Sequence, residues 1–311
     1  MHRQTPLLKI LYLLFIAAML LPLAACNRAS QPVSFMVFGD PAEYAAYETL
    51  VSAFEGEHPE VDIELIHIPS QSDYRKRLAA DLAAGTPADV VLINYRRYAQ
   101  FAVQGALEPL APYLAKSELI SEEDFYPQSI QPFTWNGQLM CIPQNLSSLV
   151  VYYNKALFDK AHLPYPVDDW TWADFQATAI ALTADENGDG LNEQFGLGME
   201  PSLIRLTPFI WQAGGEVVDD PVYPARLALE SPEALRAAQF FVDLSVVYHV
   251  VPNQEEEAAE ESEARFINGR MAMFLNSRRG VPTYREITAF EWDVAPRPQD
   301  VQRASILHAD A

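Results

Sequence analysis

Three apolar segments separated by two helical ones, all within residues 33–93, constrain this chain more than any other feature. Val33–Phe38 is mostly apolar, as a strand covered on both faces of a parallel sheet must be. Gly39-Asp40-Pro41 stops it, and Ala42–Glu57 then carries Tyr44, Tyr47, Leu50, Val51 and Phe54 at helical spacing until Pro59. Val61–Ile66 alternates and predicts a second strand. A helix capped by Ser72 or Asp73 is expected through Tyr74, Leu78 and Leu82 to Gly85, and Asp89–Ile93 predicts a third strand. Strand and helix alternating at this rhythm predict a parallel α/β sheet, because parallel neighbours must be joined by crossovers. Right-handed crossovers then place helices on both faces.

The rest of the chain is more helical. Trp135-Asn136-Gly137-Gln138 predicts a hairpin centred on Asn-Gly, the pair that most easily takes positive φ twice. Leu149–Tyr153 predicts an apolar strand ending at Asn154. Thr171 with Asp174 three residues on predicts a capped helix start, and Ser231-Pro232 opens another helix reaching Tyr248. Glu255–Phe266 predicts an acidic segment entering a further helix. No internal repeat is present. Half of the 311 residues are hydrophobic, as in a folded globular chain, the length is enough for one large domain or two lobes with their own cores, and the net charge of −21 excludes a nucleic-acid binder with a basic face.

The N-terminus has a basic start (His2, Arg3, Lys9) and an apolar run, Ile10–Leu21, too short to span a bilayer. Residues 1–25 are therefore expected to be a secretory signal. Leu23-Ala24-Ala25-Cys26 resembles the lipobox of bacterial lipoproteins. That resemblance implies cleavage before Cys26, lipid on its thiol and new amino group, and a tether over 26–32. Two attachments meet the requirement for stable anchoring. The expected location is the cell membrane, facing the periplasm or the extracellular side. Cys141 is then alone, so no disulfide is expected, and its apolar neighbours predict a core thiol.

Three features could carry chemistry. In Asp185–Glu193, oxygens at Asp185, Asn187, Asp189, Leu191 (main chain) and Glu193, with Gly190 sixth, match the first half of a calcium loop. The twelfth position is Gly196 instead of Glu, and a solvated Asn/Asp/Gly loop is the alternative. A structural calcium ion is the one cofactor left open. Tyr152 and Tyr153 point to opposite faces of their strand. Two phenolates could serve ferric iron, but His58, His67, His162, His249 and His308 show no ligand spacing, so one Tyr in the core and one at a cleft is expected. Trp135, Trp170, Trp172, Trp211 and Trp292 lie in or beside loops, where flat faces could stack on sugar rings or fill the core. Finally, no nucleophile elbow, zinc-protease or phosphate-loop motif occurs.

Several ordered blocks together resemble the family 1 extracellular solute-binding proteins, the maltose-binding-like receptors of ABC importers. They are Gly85–Val91, Asn136-Gly137-Gln138 through Pro143, Tyr152–Phe158, Pro166–Phe175 with Leu182-Thr183, Asp185–Gly196, Gly214-Gly215, Phe266–Met273 and Trp292–Pro296. The resemblance implies a periplasmic-binding-protein-like α/β fold of two lobes with a ligand cleft and hinge crossovers. Lobe one would hold 32–145 plus 296–311, and lobe two 146–295. The family pattern continues beyond 311, so lobe one would be incomplete.

The implied function is a non-enzymatic, monomeric receptor that delivers a carbohydrate to an ABC permease. By their position at strand ends, the expected contacts are Phe38, Asp40, Gln71, Asn94, Gln144, Asn145, Trp211, Gly214, Asn276 and Arg278. Relatives often carry Trp near 276–279, whereas this chain has Asn276-Ser277-Arg278-Arg279. An Arg there could fork onto a carboxylate or phosphate, leaving room for a sugar phosphate. The competing readings are an extracytoplasmic oligosaccharide hydrolase or lyase, a ligand-presenting sensor subunit, and a ferric-ion-binding protein.

Overall fold

In the computed structural model residues 31–311 are described, so the expected signal and Cys26 lie outside the described residues. The chain forms two compact units, one ending at Pro109 and one spanning Leu110–Ala311.

The first unit is built on strands β1 (Val33–Val37), β2 (Ile63–His67) and β3 (Val90–Val91). All three are parallel, in the order β2-β1-β3, with Phe35 opposite both Leu65 and Val90. Helices α1 (Pro41–Glu57) and α2 (Gln71–Ala84) make the crossovers, and α3 (Tyr95–Val103) follows β3. The predicted rhythm is therefore the observed one.

Local chemistry sets the helix starts in this unit. Asp40 Oδ1 accepts from the amides of Ala42 and Glu43 at 2.8 and 2.9 Å, and Glu43 returns the bond to the Asp40 amide. α2 begins before the expected Ser72 or Asp73. Ser70 is its cap, and its hydroxyl accepts from the Asp73 amide, while Asp73 lies in the first turn and pairs with Lys76. The Tyr74 hydroxyl, 3.0 Å from the Met36 carbonyl and 2.7 Å from that of Leu92, ties α2 across the ends of β1 and β3.

The second unit contains a hairpin, β4 (Thr134–Trp135) and β5 (Gln138–Leu139), turning through Asn136 at φ 50° and Gly137 at φ 74°. That is the primed turn Asn-Gly predicts. The main sheet has five strands: β6 (Asn145–Asn154), β7 (Phe195–Gly198), β8 (Met271–Ser277), β9 (Trp292–Ala295) and β10 (Leu307–Asp310). Its order is β10-β6-β8-β7, with β9 also on β6. Only β7 and β8 run parallel. Compactness thus groups 110–145 and 296–311 with this unit, where the family arrangement implied lobe one. The reason is β6, an unbroken strand whose first residues hold β10 and whose later ones hold β8 and β9.

Helices α4 (Lys155–Lys160), α5 (Trp172–Ala181), α6 (Leu203–Gln212) and α7 (Pro232–Val246) belong to this unit. Its largest core joins Trp172, Phe175, Phe209, Phe241 and Leu244 from α5, α6 and α7 to Val151, Leu197 and Met273 of the sheet. Thr171 and Asp174 form the predicted capping box and Ser231 caps α7. The acidic segment resolves into two short helices, Gln254–Ala259 and Ser262–Ile267. Two close approaches fix the layers. A Cβ on Gly196 of β7 would lie 1.9 Å from the Ala179 carbonyl oxygen, so only glycine lets α5 sit there. Gln212, fully buried, accepts from Trp172 Nε1 at 2.7 Å and donates to the Ala304 carbonyl at 2.8 Å, holding the strap 296–306 along α6.

Candidate ligand-binding site

Open α/β sheets bind ligands at the carboxyl ends of their strands, where the chain reverses its winding. In the first unit that point lies between β1 and β3. A cavity of about 70 Å³ opens there, lined by Phe38, Gln71, Tyr74, Leu92 and Asn94 among others. Three of the expected contacts, Phe38, Gln71 and Asn94, thus converge from the end of β1, the start of α2 and the start of α3. Phe38 stands edge-on to Tyr74 at 5.0 Å. Asn94 Oδ1 accepts from the Arg96 amide at 3.1 Å as the α3 cap. Burial pushes the Tyr74 phenol well above its ordinary range, so it stays protonated. Asp40 departs from expectation, since one of its carboxylate oxygens is committed to capping α1.

In the second unit β7 and β8 run parallel, so their carboxyl ends share one edge. β7 leads into α6 and β8 ends at Asn276-Ser277, which brings the start of α6 beside Asn276. Arg205 of α6 donates to Asn276 Oδ1 at 3.3 Å. The Asn276 amide donates to the Tyr284 hydroxyl at 2.7 Å, and Tyr284 donates to Glu263 at 2.6 Å. The α6 cap, Ser202, makes no side-chain cap bond. Arg278 is exposed and lines a separate groove of about 330 Å³ with Ser147, Ser148 and Tyr152. Gln144 and Asn145 lie together, with the Asn145 amide donating to Gln144 Oε1 and Asp310 Oδ2.

Trp211 and Gly214 are not brought to that edge. At 1.5 Å per residue α6 carries Trp211 about 13 Å from Ser202, and Gly214 lines another groove with Glu233 and Arg236. Arg205 and Arg297, both buried here, escaped the sequence reading. The available signal was a lone charge in the apolar run Leu203–Ile210 and an Arg between Pro296 and Pro298.

The remaining sequence features resolve as follows. Both tyrosines are core residues, and Tyr152 also borders the groove that Arg278 lines. Tyr152 is fully buried against Tyr284 and Trp292, donates to the Ser277 carbonyl at 2.9 Å, and has its pKa pushed up to about 12 by burial. Tyr153 is buried against Phe158 and Tyr165. Two protonated core phenols do not make an iron site. Trp170 and Trp172 are core residues whose indole N–H groups donate to Pro296 O and Gln212 Oε1. Trp292 donates to Tyr284 O, and Trp135 packs edge-on against Tyr223. Cys141 is a buried free thiol, as expected.

In the acidic loop, Asp185, Asp189 and Glu193 bring carboxylate oxygens within 4.8 Å of one another. The loop also satisfies itself. Asp185 accepts from the amides of Gly188, Asp189 and Gly190, which hold its carboxyl below the usual range, and Asn187 bonds Asp189 and Glu193. Leu191 donates its amide to Asp189.

Residues 39–302 match the profile described as bacterial extracellular solute-binding protein, and the chain belongs to that family. Its members are non-enzymatic binding components of ABC importers that work outside the cytoplasm and typically need no cofactor. A binding protein of Brucella abortus is 26% identical over 245 residues, 76% of this chain and 56% of the relative. A mannitol-binding protein of Pseudomonas aeruginosa is 24% identical over 234 residues, 74% of this chain and 51% of the relative. The chain therefore spans a little over half the length of these curated relatives. An ABC substrate-binding protein from Listeria monocytogenes, solved with cycloalternan, superposes with a TM-score of 0.79 at 25% identity, covering 90% of this chain and 69% of that one. Among the described residues no helix is long and apolar enough to cross a membrane.

Proposed function

We propose that this chain captures a sugar or sugar alcohol at the carboxyl ends of its parallel strands and delivers it to the membrane subunits of an ABC importer. The observation that carries the reading is the cavity at the β1/β3 switch point, where the flat rings of Phe38 and Tyr74 meet the amides of Gln71 and Asn94. Ring faces against sugar C–H groups, with amides for hydroxyls, is the chemistry a polyhydroxy ligand needs. The mannitol-binding and cycloalternan-bound relatives point the same way. A permease would recognise the liganded form by its different affinity for the two states.

Lipid on Cys26 would hold the receptor at the membrane, and it would act as a monomer. The Asp185–Glu193 loop is the place where a calcium ion would be taken up, given its three gathered carboxylates.

Thermal shift of the chain from residue 27 onward against sugars and sugar alcohols tests the reading. One class should raise Tm with concentration, as a ligand of the folded state must. Asn94→Ala and Gln71→Ala should each weaken that response at least tenfold. A cooperative melt that no sugar or sugar alcohol shifts would overturn it. Calcium against chelator in the same assay, labelling with a radioactive fatty acid in Cys26→Ser, and light scattering test the remaining parts.

A further inference from the structure

Three arginines line the cavity at the β1/β3 switch point. Arg75 comes from α2, and Arg96 and Arg97 come from the first turn of α3. All three belong to the first unit, and all three are exposed. On α2, Gln71, Tyr74, Arg75 and Leu78 fall at i, i+3, i+4 and i+7, so one helix face serves the cavity. On α3, Asn94, Arg97 and Phe101 fall at i, i+3 and i+7 in the same way. The rest of the lining is mostly apolar and includes no acid.

The charge balance of the chain makes this grouping unusual. There are 42 acidic side chains against 21 lysines and arginines, so an arginine readily finds a carboxylate. Arg77, Arg226, Arg236 and Arg270 all do. Among the described residues none of the three cavity arginines does. The two acids of α2, Asp73 and Asp81, are engaged by Lys76 and Arg77, and α3 contains no acid. Arg96 lies over the Tyr95 ring, 5.8 Å from its centroid. The placement also runs against the helix dipole. α1, α2, α5 and α7 each put an acid in the first turn, where the positive end of the helix favours it, whereas α3 puts two cations there. Three like charges around one cavity repel one another, and an anion among them reverses the sign of that contribution. Local rules of this kind are broken mostly where a function needs it. The planar fork of a guanidinium takes two oxygens of a carboxylate or phosphate at once, and apolar walls strengthen the attraction.

We infer that the captured solute carries an anionic group, a phosphate ester or a carboxylate, and that Arg75, Arg96 and Arg97 hold that group at the first unit's cavity. This rests on the receptor reading above and narrows it from a neutral sugar to an acidic or phosphorylated one. Arg278, the anion reader expected from the sequence, lies in a groove of the second unit, and the cavity arginines take that role.

The test uses the chain from residue 27, its Arg75→Gln variant, its Arg96→Gln/Arg97→Gln double variant, and calorimetry at matched low ionic strength. Arg77→Gln, on α2 but outside the cavity lining, is the charge-matched control. The ligand-free Tm of each variant checks that it folds. The probes are inorganic phosphate, glucose 6-phosphate, glucuronate and glucose. In the unsubstituted chain one of the two acidic sugars should bind at least tenfold tighter than glucose, and which one tells phosphate from carboxylate. The double variant should bring that ratio close to one, Arg75→Gln should lower it severalfold, and Arg77→Gln should keep it. An acidic sugar preferred equally in every variant would overturn the assignment to these arginines. Glucose binding as tightly as both acidic sugars would sink the anion site and leave the sugar reading standing. Inorganic phosphate bound through the arginines, with no response to any sugar, would keep the anion site and remove the sugar reading. A folded chain that answers none of the four probes would overturn both.

Discussion

Replacing Gln212 with Leu should destabilise the second unit by removing the joint between α5, α6 and the strap 296–306. The side chain is fully buried, and each end of its amide makes one bond: Oε1 to Trp172 Nε1 at 2.7 Å and Nε2 to Ala304 O at 2.8 Å. Leu has nearly the same volume, so the cavity contribution is small. The loss is that of two buried partners left unsatisfied, at about 1–3 kcal/mol each. The greater apolarity of Leu offsets about 1 kcal/mol of that. The net expectation is about 3 kcal/mol, or roughly 6–12 °C in Tm for a domain of this size. Urea unfolding followed by tryptophan fluorescence reads it, with the slope unchanged and the midpoint lowered. Pairing the change with Trp172→Phe should show coupling of about 1 kcal/mol or more, since both substitutions break one bond. A cost below about 1 kcal/mol would refute the claim that this amide holds the strap.

Other perturbations test other joints. Gly196→Ala should cost about 3 kcal/mol, the upper end for overpacking, because the 1.9 Å contact is with main chain on both sides. A urea midpoint within experimental error of the unsubstituted chain would show that α5 can move aside. Tyr284→Phe strands the Asn276 amide and frees Glu263, and should cost about 2 kcal/mol by the same measurement; no loss would mean the network is idle. Burial pushes the Cys141 thiol from 9.0 up to about 12. Its contribution is therefore fully present below pH 9 and is lost as pH rises from there through the folded value. Cys141→Ala should flatten the stability profile between pH 9 and 11 by about 1.4 kcal/mol per pH unit, and an unchanged slope would contradict the burial.

The periodic elements were legible because periodicity is a local property. Apolar runs and helical spacing located β1, α1, β2 and α2, and the capping chemistry at Thr171 and Ser231 marked α5 and α7 to the residue. The α2 start was missed because Ser70, Ser72 and Asp73 are all competent caps, and only the path of the chain out of β2 selects among them. Alternation put Tyr152 and Tyr153 on opposite faces, but not whether both faces were covered. Packing of Tyr284 and Trp292 on one side and of Phe158 and Tyr165 on the other decided that.

The candidate site divides the same way. Phe38, Gln71 and Asn94 could be chosen because strand ends and helix starts are visible in one dimension, and a parallel sheet must gather them at one edge. By itself, then, the sequence determined the family, the alternating architecture of residues 33–93 and which strand ends and helix starts gather at the carboxyl edge of the first sheet. Only the tertiary structure decided which charges meet in the second unit. Arg205 and Arg297 are far apart in the chain, each surrounded by apolar or proline neighbours, and nothing local says that they meet. Their juxtaposition follows from the strap folding back along α6, a long-range contact that no local pattern encodes.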